Sequence, residues 1–159
     1  MGDDLLPYVD WIFQEIEHRL KTITHNDLHE DNPLFGKPGI GEEVIIIDWQ
    51  QATRSMGVFD ATRLISGSTL PDIRRGHEIE ILRICYDALA RGGVKDYSWE
   101  DARYDLHLSL LAFICYPIEF HTAFIDKLRG GRGYQLTEAI MRRHFASAVD
   151  LNAAESLPG

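Results

Sequence analysis

Cysteine, lysine and long apolar runs are all scarce in this chain of 159 residues. The two cysteines, Cys85 and Cys115, stand far apart inside apolar helical patterns, with no Cys-x-x-Cys spacing. That excludes a disulfide framework and a thiolate metal knuckle, and predicts two small buried hydrophobes in a reducing compartment. Lysine occurs only at Lys21, Lys37, Lys95 and Lys127, and 16 basic against 25 acidic side chains leave a net charge of −9. Such a balance argues against a surface that tracks a phosphate backbone, so nucleic acid is not expected as a partner. The most apolar stretch, 106–118, contains His107 and a proline near its end. It falls short of the roughly 20 residues that span a bilayer, so no membrane partner is expected. The chain opens Met-Gly-Asp-Asp, without the basic and apolar segments of a signal peptide, which predicts a cytoplasmic protein.

What is there suits one globular domain: 45% of the residues are hydrophobic and 26% charged, enough apolar mass for a real core. Leu5, Leu6, Val9, Ile12, Phe13, Ile16 and Leu20 recur at helical spacing and predict an amphipathic first helix, N-capped by Asp3 or Asp4. A polar cluster at 25–32 follows, then Pro33-Leu34-Phe35, a turn rich in glycine and proline at 36–41, and the β-branched run 44–47. The run reads as a buried strand pairing back on Leu34 and Phe35, and it ends at Asp48. Beyond Asp60 the pattern is helical. One helix is expected over 71–91, with Ile79, Leu82, Cys85, Tyr86 and Leu89 inward, closed by Gly92 and Gly93. Ser98 and Asp101 give a capping-box start to a helix reaching Leu128. A solvated loop at 130–133, with Arg129 and Arg132, precedes a last helix over 137–150 and a frayed tail over 151–159. Trp11, Trp99, Phe113, Tyr116, Phe120 and Phe124 read as core aromatics.

Between His25 and Asp48 the chain concentrates His25, Asp27, His29, Asp31, Asn32 and Asp48 around the hairpin. Phosphoryl transfer to a hydroxyl needs a carboxylate to orient the nucleophile and take its proton, plus hard oxygen ligands for magnesium. Asp27, Asn32 and Asp48 supply those three parts in that order. Two other readings compete: a transition-metal site of a hydrolase built on His25, Asp27 and His29, and a purely structural cluster that caps turns. The glycines at 36–41 do not make a phosphate-cradling loop, because no Lys-Ser or Lys-Thr follows and a strand comes next.

His25-Asn26-Asp27-Leu28-His29-Glu30-Asp31-Asn32 resembles the His-Gly-Asp-Leu-His-x-x-Asn catalytic loop of aminoglycoside phosphotransferases, choline kinases and the ecdysteroid-kinase-like group. Val44 to Asp48 with Trp49-Gln50 is similar to their metal-binding strand, and Gly57-Val58-Phe59-Asp60, one residue shorter in its spacing, to the Gly-x-x-x-Asp turn after it. The resemblance implies an α+β, mainly helical fold, the C-terminal lobe of a kinase-like protein with a short β-hairpin beside the catalytic loop. It divides a single domain over 1–150 into a first helix (1–24), a catalytic and metal-binding segment (25–60) and a helical subdomain (61–150). By matching position, Asp27 is implied as the base, with His25 bracing the loop beside it. Asn32 and Asp48 are implied as ligands of magnesium and of its nucleotide, His29 and Glu30 as neighbours of the substrate, and Asp60 as a support of the loop backbone. Asn26 in place of glycine, Pro33 directly after Asn32, and Trp49-Gln50 depart from the family pattern. Only 24 residues precede His25, too few for the N-terminal lobe that carries a phosphate-binding lysine in such kinases. The implied function is ATP- and magnesium-dependent phosphorylation of a small-molecule hydroxyl, with the other lobe supplied by another chain or a second copy. The alternative is a catalytically silent module that binds a ligand or associates with itself. Either version predicts a homodimer, with Leu5, Val9, Ile12 and Ile16 of the first helix at the interface.

Overall fold

The computed structural model describes residues 5–37, 39, 41, 43–128 and 131–159, the side chains of 116–128, 132 and 133 excepted. The expected cap at Asp3 or Asp4, the loop arginine Arg129, and the side chains of Arg132, Tyr116, Phe120 and Phe124 lie outside that description, while the last helix, expected from 137, begins at Arg132 and takes in part of the expected loop. The fold is α+β and mainly helical. Helix α1 (Val9–His18) leads into strand β1 (Lys21–Thr24), the loop 25–32, and a hairpin of β2 (Pro33–Phe35) and β3 (Val44–Ile46). Strand β4 (Thr53–Met56) and helix α2 (Phe59–Arg63) follow, the latter running into a π-helical turn at Leu64–Ser68. Helices α3 (Pro71–Arg74), α4 (Glu78–Arg91), α5 (Trp99–Leu128) and α6 (Arg132–Asp150) complete the chain, with a 3-10 turn at Ala153–Ser156. No helix among the described residues is long and apolar enough to cross a membrane.

Helix α5 is the axis of the core. Leu108 and the run Leu110 to Cys115 are buried, so this stretch is covered on all sides, as a helix that is apolar all round must be. Its start is the expected capping box: the Ser98 amide donates to the Asp101 carboxylate (2.9 Å), and the Asp101 amide donates to the Ser98 hydroxyl oxygen (3.0 Å). Ile12 and Ile16 of α1 and Phe59 of α2 join the same core, Phe59 edge-on to Phe113 at 4.7 Å. Arg19, just past α1, donates to Asp101 (2.7 Å) and Asp105 (2.5 Å), fixing the end of α1 on α5. The first helix therefore spends Leu5, Ile12 and Ile16 within its own chain, and the expectation that this face forms a dimer interface is corrected.

Three further expectations change. The hairpin pairs as foreseen, antiparallel with Leu34 opposite Ile45, but it is not buried. Phe35 is 79% exposed and Ile45 51%, because no described element packs over either strand. The helix expected over 71–91 is two helices: Arg75 leaves the helical region, and Gly76 adopts φ +87, a left-handed conformation that glycine takes at least cost. The break lets the buried Arg74 side chain turn inward to ion-pair with Glu78 and Asp150, and Ile79 consequently faces solvent. The tail is not frayed: Ala153 is fully buried, and His107 shares a 2.9 Å hydrogen bond with Ser156.

His144 of α6 is buried against the π-helical turn, stacked on Phe113 at 4.7 Å. The Ser66 hydroxyl donates to the Thr62 carbonyl (2.6 Å), so the 2.8 Å contact with His144 Nδ1 is an imidazole N–H donating to Ser66 Oγ. This tautomer leaves Nε2 buried without a hydrogen bond. Burial, then the Arg63 guanidinium, pushes the His144 pKa down to about 3. A histidine depressed in the fold binds its proton in the unfolded chain first, so its contribution is complete above the unfolded value and is lost as pH falls below it. His107, also lowered by burial, acts in the same sense. Urea unfolding at about pH 7.5 and about pH 5 should show a loss of about 2 kcal/mol from His144 alone. The His144→Gln variant should lack that part of the pH dependence, whatever its absolute stability.

Candidate active site

The loop 25–32 leaves β1 and is held from below by a single short helix. Asp60, in the first turn of α2, accepts hydrogen bonds from the backbone amides of His25 (2.6 Å) and Asn26 (2.9 Å). Gly57, just before α2, leaves room for α4 to pack: a Cβ there would stand 2.9 Å from the Leu89 side chain. Asn26 has φ +68, which explains its place where the related motif carries glycine: asparagine is among the side chains that tolerate the left-handed region. Three residues after Asp60, on the same helix face, Arg63 donates to Asp27 Oδ1 at 2.6 Å. The Arg63 guanidinium lies over the Phe113 ring, 5.7 Å from its centre. Among the described residues Asp27 Oδ2 accepts no hydrogen bond, so one carboxylate oxygen is fixed and the other is open.

His25 is buried and fully engaged. Its Nδ1 accepts from the Asp27 amide (3.3 Å), which places the ring proton on Nε2, donating to the Ile47 carbonyl (2.8 Å). Trp49 packs on it at 4.9 Å and donates its indole N–H to Ile46 (2.9 Å). The imidazole is therefore a brace between loop and hairpin, not a free base. With Asp27 drawn to Arg63, it is equally unable to join a transition-metal site with His29. Among the described residues no three His, Cys, Asp or Glu side chains form a metal-binding group, and the hydrolase reading is set aside on that geometry.

Asn32 is buried and anchored to the residue before Asp48. The Ile47 amide donates to its backbone carbonyl (3.1 Å), and its own Nδ2 donates to the Ile47 carbonyl (3.4 Å). Its side-chain oxygen, Oδ1, is buried with no partner. Asp48 is exposed at the exit of β3 with φ +67, an uncommon conformation for a side-chain-bearing residue, and makes no ion pair among the described residues. An orphan amide oxygen and an unpaired carboxylate, joined through Ile47, fit a hard cation such as magnesium, which takes oxygen ligands and keeps waters for the rest.

On the far side of the loop, His29 accepts from the Asp31 amide through Nδ1 (3.4 Å). The Glu30 amide donates to Ser68 Oγ (3.0 Å), and its carboxylate receives Arg143 Nη1 (3.3 Å), which also donates to the Gly67 carbonyl (3.0 Å). Burial alone would push the Glu30 carboxyl up, but Ser68, the backbone and Arg143 hold it below its ordinary value. The sequence did not single out Arg63, Ser68 or Arg143. For Arg63 a signal existed, since i, i+3 spacing from Asp60 puts it on the face that meets the loop.

A sequence model of the ecdysteroid kinase-like family matches residues 1–96. The match takes in α1, both sheets, the loop and α2 to α4, well over half of the chain, which belongs to this family of kinase-like phosphotransferase domains. No curated protein and no solved structure gives a significant match.

Replacing Asp60 with alanine strands two amide donors at once and should cost about 2–4 kcal/mol in urea unfolding. Asp60→Asn keeps one acceptor oxygen and should cost about half as much.

Proposed function

We propose that this domain transfers the terminal phosphoryl group of ATP to a hydroxyl of a small molecule. The observation that carries the reading is the buried, unpartnered Oδ1 of Asn32, a residue hydrogen-bonded to Ile47, which directly precedes Asp48 in the chain. A buried acceptor without a partner costs about 1–3 kcal/mol, which a cation bound there would offset. Asn32 and Asp48 would hold the magnesium; when bound, it supplies charge neutralisation for the phosphate oxygens. Asp27 orients the acceptor hydroxyl and takes its proton on Oδ2, while Arg63 holds Oδ1 and sets the carboxylate's direction. His25 keeps the loop in register with the hairpin. His29 and Glu30 face the side from which we expect the substrate to enter.

Efficient transfer depends on positioning, and the uncovered hairpin is where further cover is needed. Leu34, Phe35, Val44, Ile45, Ile46, Ile47 and Trp49 are all exposed, a continuous run that suits a strand pair covered by something else. We assign this face to a nucleotide-binding lobe or to a second copy of the chain, and a homodimer through the hairpin is one such arrangement. Neither Cys85 nor the core residue Cys115 forms a disulfide, in keeping with a reducing, cytoplasmic setting. The second reading is a ligand-binding module without turnover, in which the Arg63 ion pair serves only to anchor the loop.

Calorimetric titration with ATP and magnesium should give saturable binding that weakens at least about tenfold in Asp48→Ala. Asp27→Asn should keep the binding and lower turnover by about a thousandfold. Binding that survives without turnover supports the silent module; no binding to wild type, alone or as the two-chain species expected from light scattering, contradicts both readings.

A further inference from the structure

A cleft beside the loop is not used by the proposed reaction. It is a cleft of about 630 Å³ lined by Phe13, Gln14, Ile16 and Glu17 of α1, by the segment 50–55, and by Asn26. Asp27, Asn32 and Asp48 do not line it. Its volume falls in the range of small-molecule sites, about 300–1,000 Å³. We propose that this cleft binds a small hydroxylated anion, a sugar acid or sugar phosphate, through Arg54.

Charge makes the first part of the case. Two charged side chains line the cleft, and Glu17 is already neutralised by its ion pair with Lys21. The Arg54 side chain makes no ion pair or hydrogen bond among the described residues; the same holds for Arg83, Arg91 and Arg103, but none of those lines the cleft. In a chain with 25 acidic against 16 basic residues, a guanidinium left unpaired beside a cavity is a positive point in a negative field. Its planar fork matches a carboxylate or phosphate in two-pronged fashion.

The lining makes the second part. Four of the lining residues, Gln14, Asn26, Gln50 and Gln51, carry amides, against Phe13, Ile16 and Ala52 as apolar residues. Side-chain amides both donate and accept, which suits a ligand carrying several hydroxyls rather than an aromatic or aliphatic one. The cleft also touches the loop directly. Asn26 precedes Asp27, and its amide is one of the two that Asp60 grips, so an occupant in contact with Asn26 meets the same support that orders the candidate active site.

The test is a titration of the full chain with gluconate, glucose 6-phosphate and uncharged glucose, followed by NMR at the Arg54 Nε–H and the glutamine side-chain amides. Saturable shifts at Arg54, Gln50 and Gln51 with one or both anions, and none with glucose, are expected. Comparing gluconate with glucose 6-phosphate decides between a sugar acid and a sugar phosphate. Affinity should fall at least about tenfold in Arg54→Gln and about threefold in Gln51→Ala. Asp48→Ala should leave it unchanged, which separates this site from the nucleotide reading. Equal shifts with glucose, shifts away from the cleft, undiminished affinity in a folded Arg54→Gln, or no saturable response to either anion would overturn the inference.

Discussion

The hydrogen bonds from the His25 and Asn26 amides to the Asp60 carboxylate are the constraint on which the candidate site depends. A polar loop between two short sheets has no regular ladder of its own, and its backbone donors must be satisfied by something rigid. Asp60 provides that from the first turn of α2, whose Phe59 is locked against Phe113 of the core helix. Arg63 extends the same hold to the Asp27 side chain. A loop that would otherwise sample many conformations is thereby referenced to the best-packed element of the molecule, and the open oxygen of Asp27 acquires a fixed direction.

The loop is also tied from its other end. Glu30 is tied to Ser68 of the π-helical turn and to Arg143 of α6, and the same turn carries Ser66, which His144 holds through Nδ1. A π-turn is a costly local geometry that persists where surrounding contacts determine it. Here its register serves both the loop and α6. The helical half of the chain is thus a mechanical part of the site. Substitutions in α6, remote in sequence from Asp27, act on the loop through Arg143 and His144.

The local chemistry of the hairpin and of the capped helices was legible in the sequence, because each had a short-range signature: Pro33 opening an extended strand, the glycine-rich turn, the Ser98 and Asp101 pair. Asp27, Asn32 and Asp48 were picked out as candidates from residue type and order alone. What was not legible required knowledge of partners. The antiparallel pair of β1 with β4 joins Lys21-Thr-Ile-Thr to Thr-Arg-Ser-Met, two short half-polar segments with the whole loop and hairpin between them. The apolar run 44–47 correctly announced a strand but gave no information on what covers it, since a run covered by its own chain and one covered by another read alike. Gly76 breaks a pattern that is helical on both sides, and the buried Arg74 beside the break is an arginine no periodicity would place inside.

The grip of Asp60 on the loop is tested most directly by hydrogen exchange at the His25 and Asn26 amides. Both should exchange slowly in the native protein, and at least about a hundredfold faster in Asp60→Ala, while amides of the buried stretch of α5 keep their protection. Rapid exchange at His25 and Asn26 in the wild-type chain, or unchanged protection in the variant, would contradict the account.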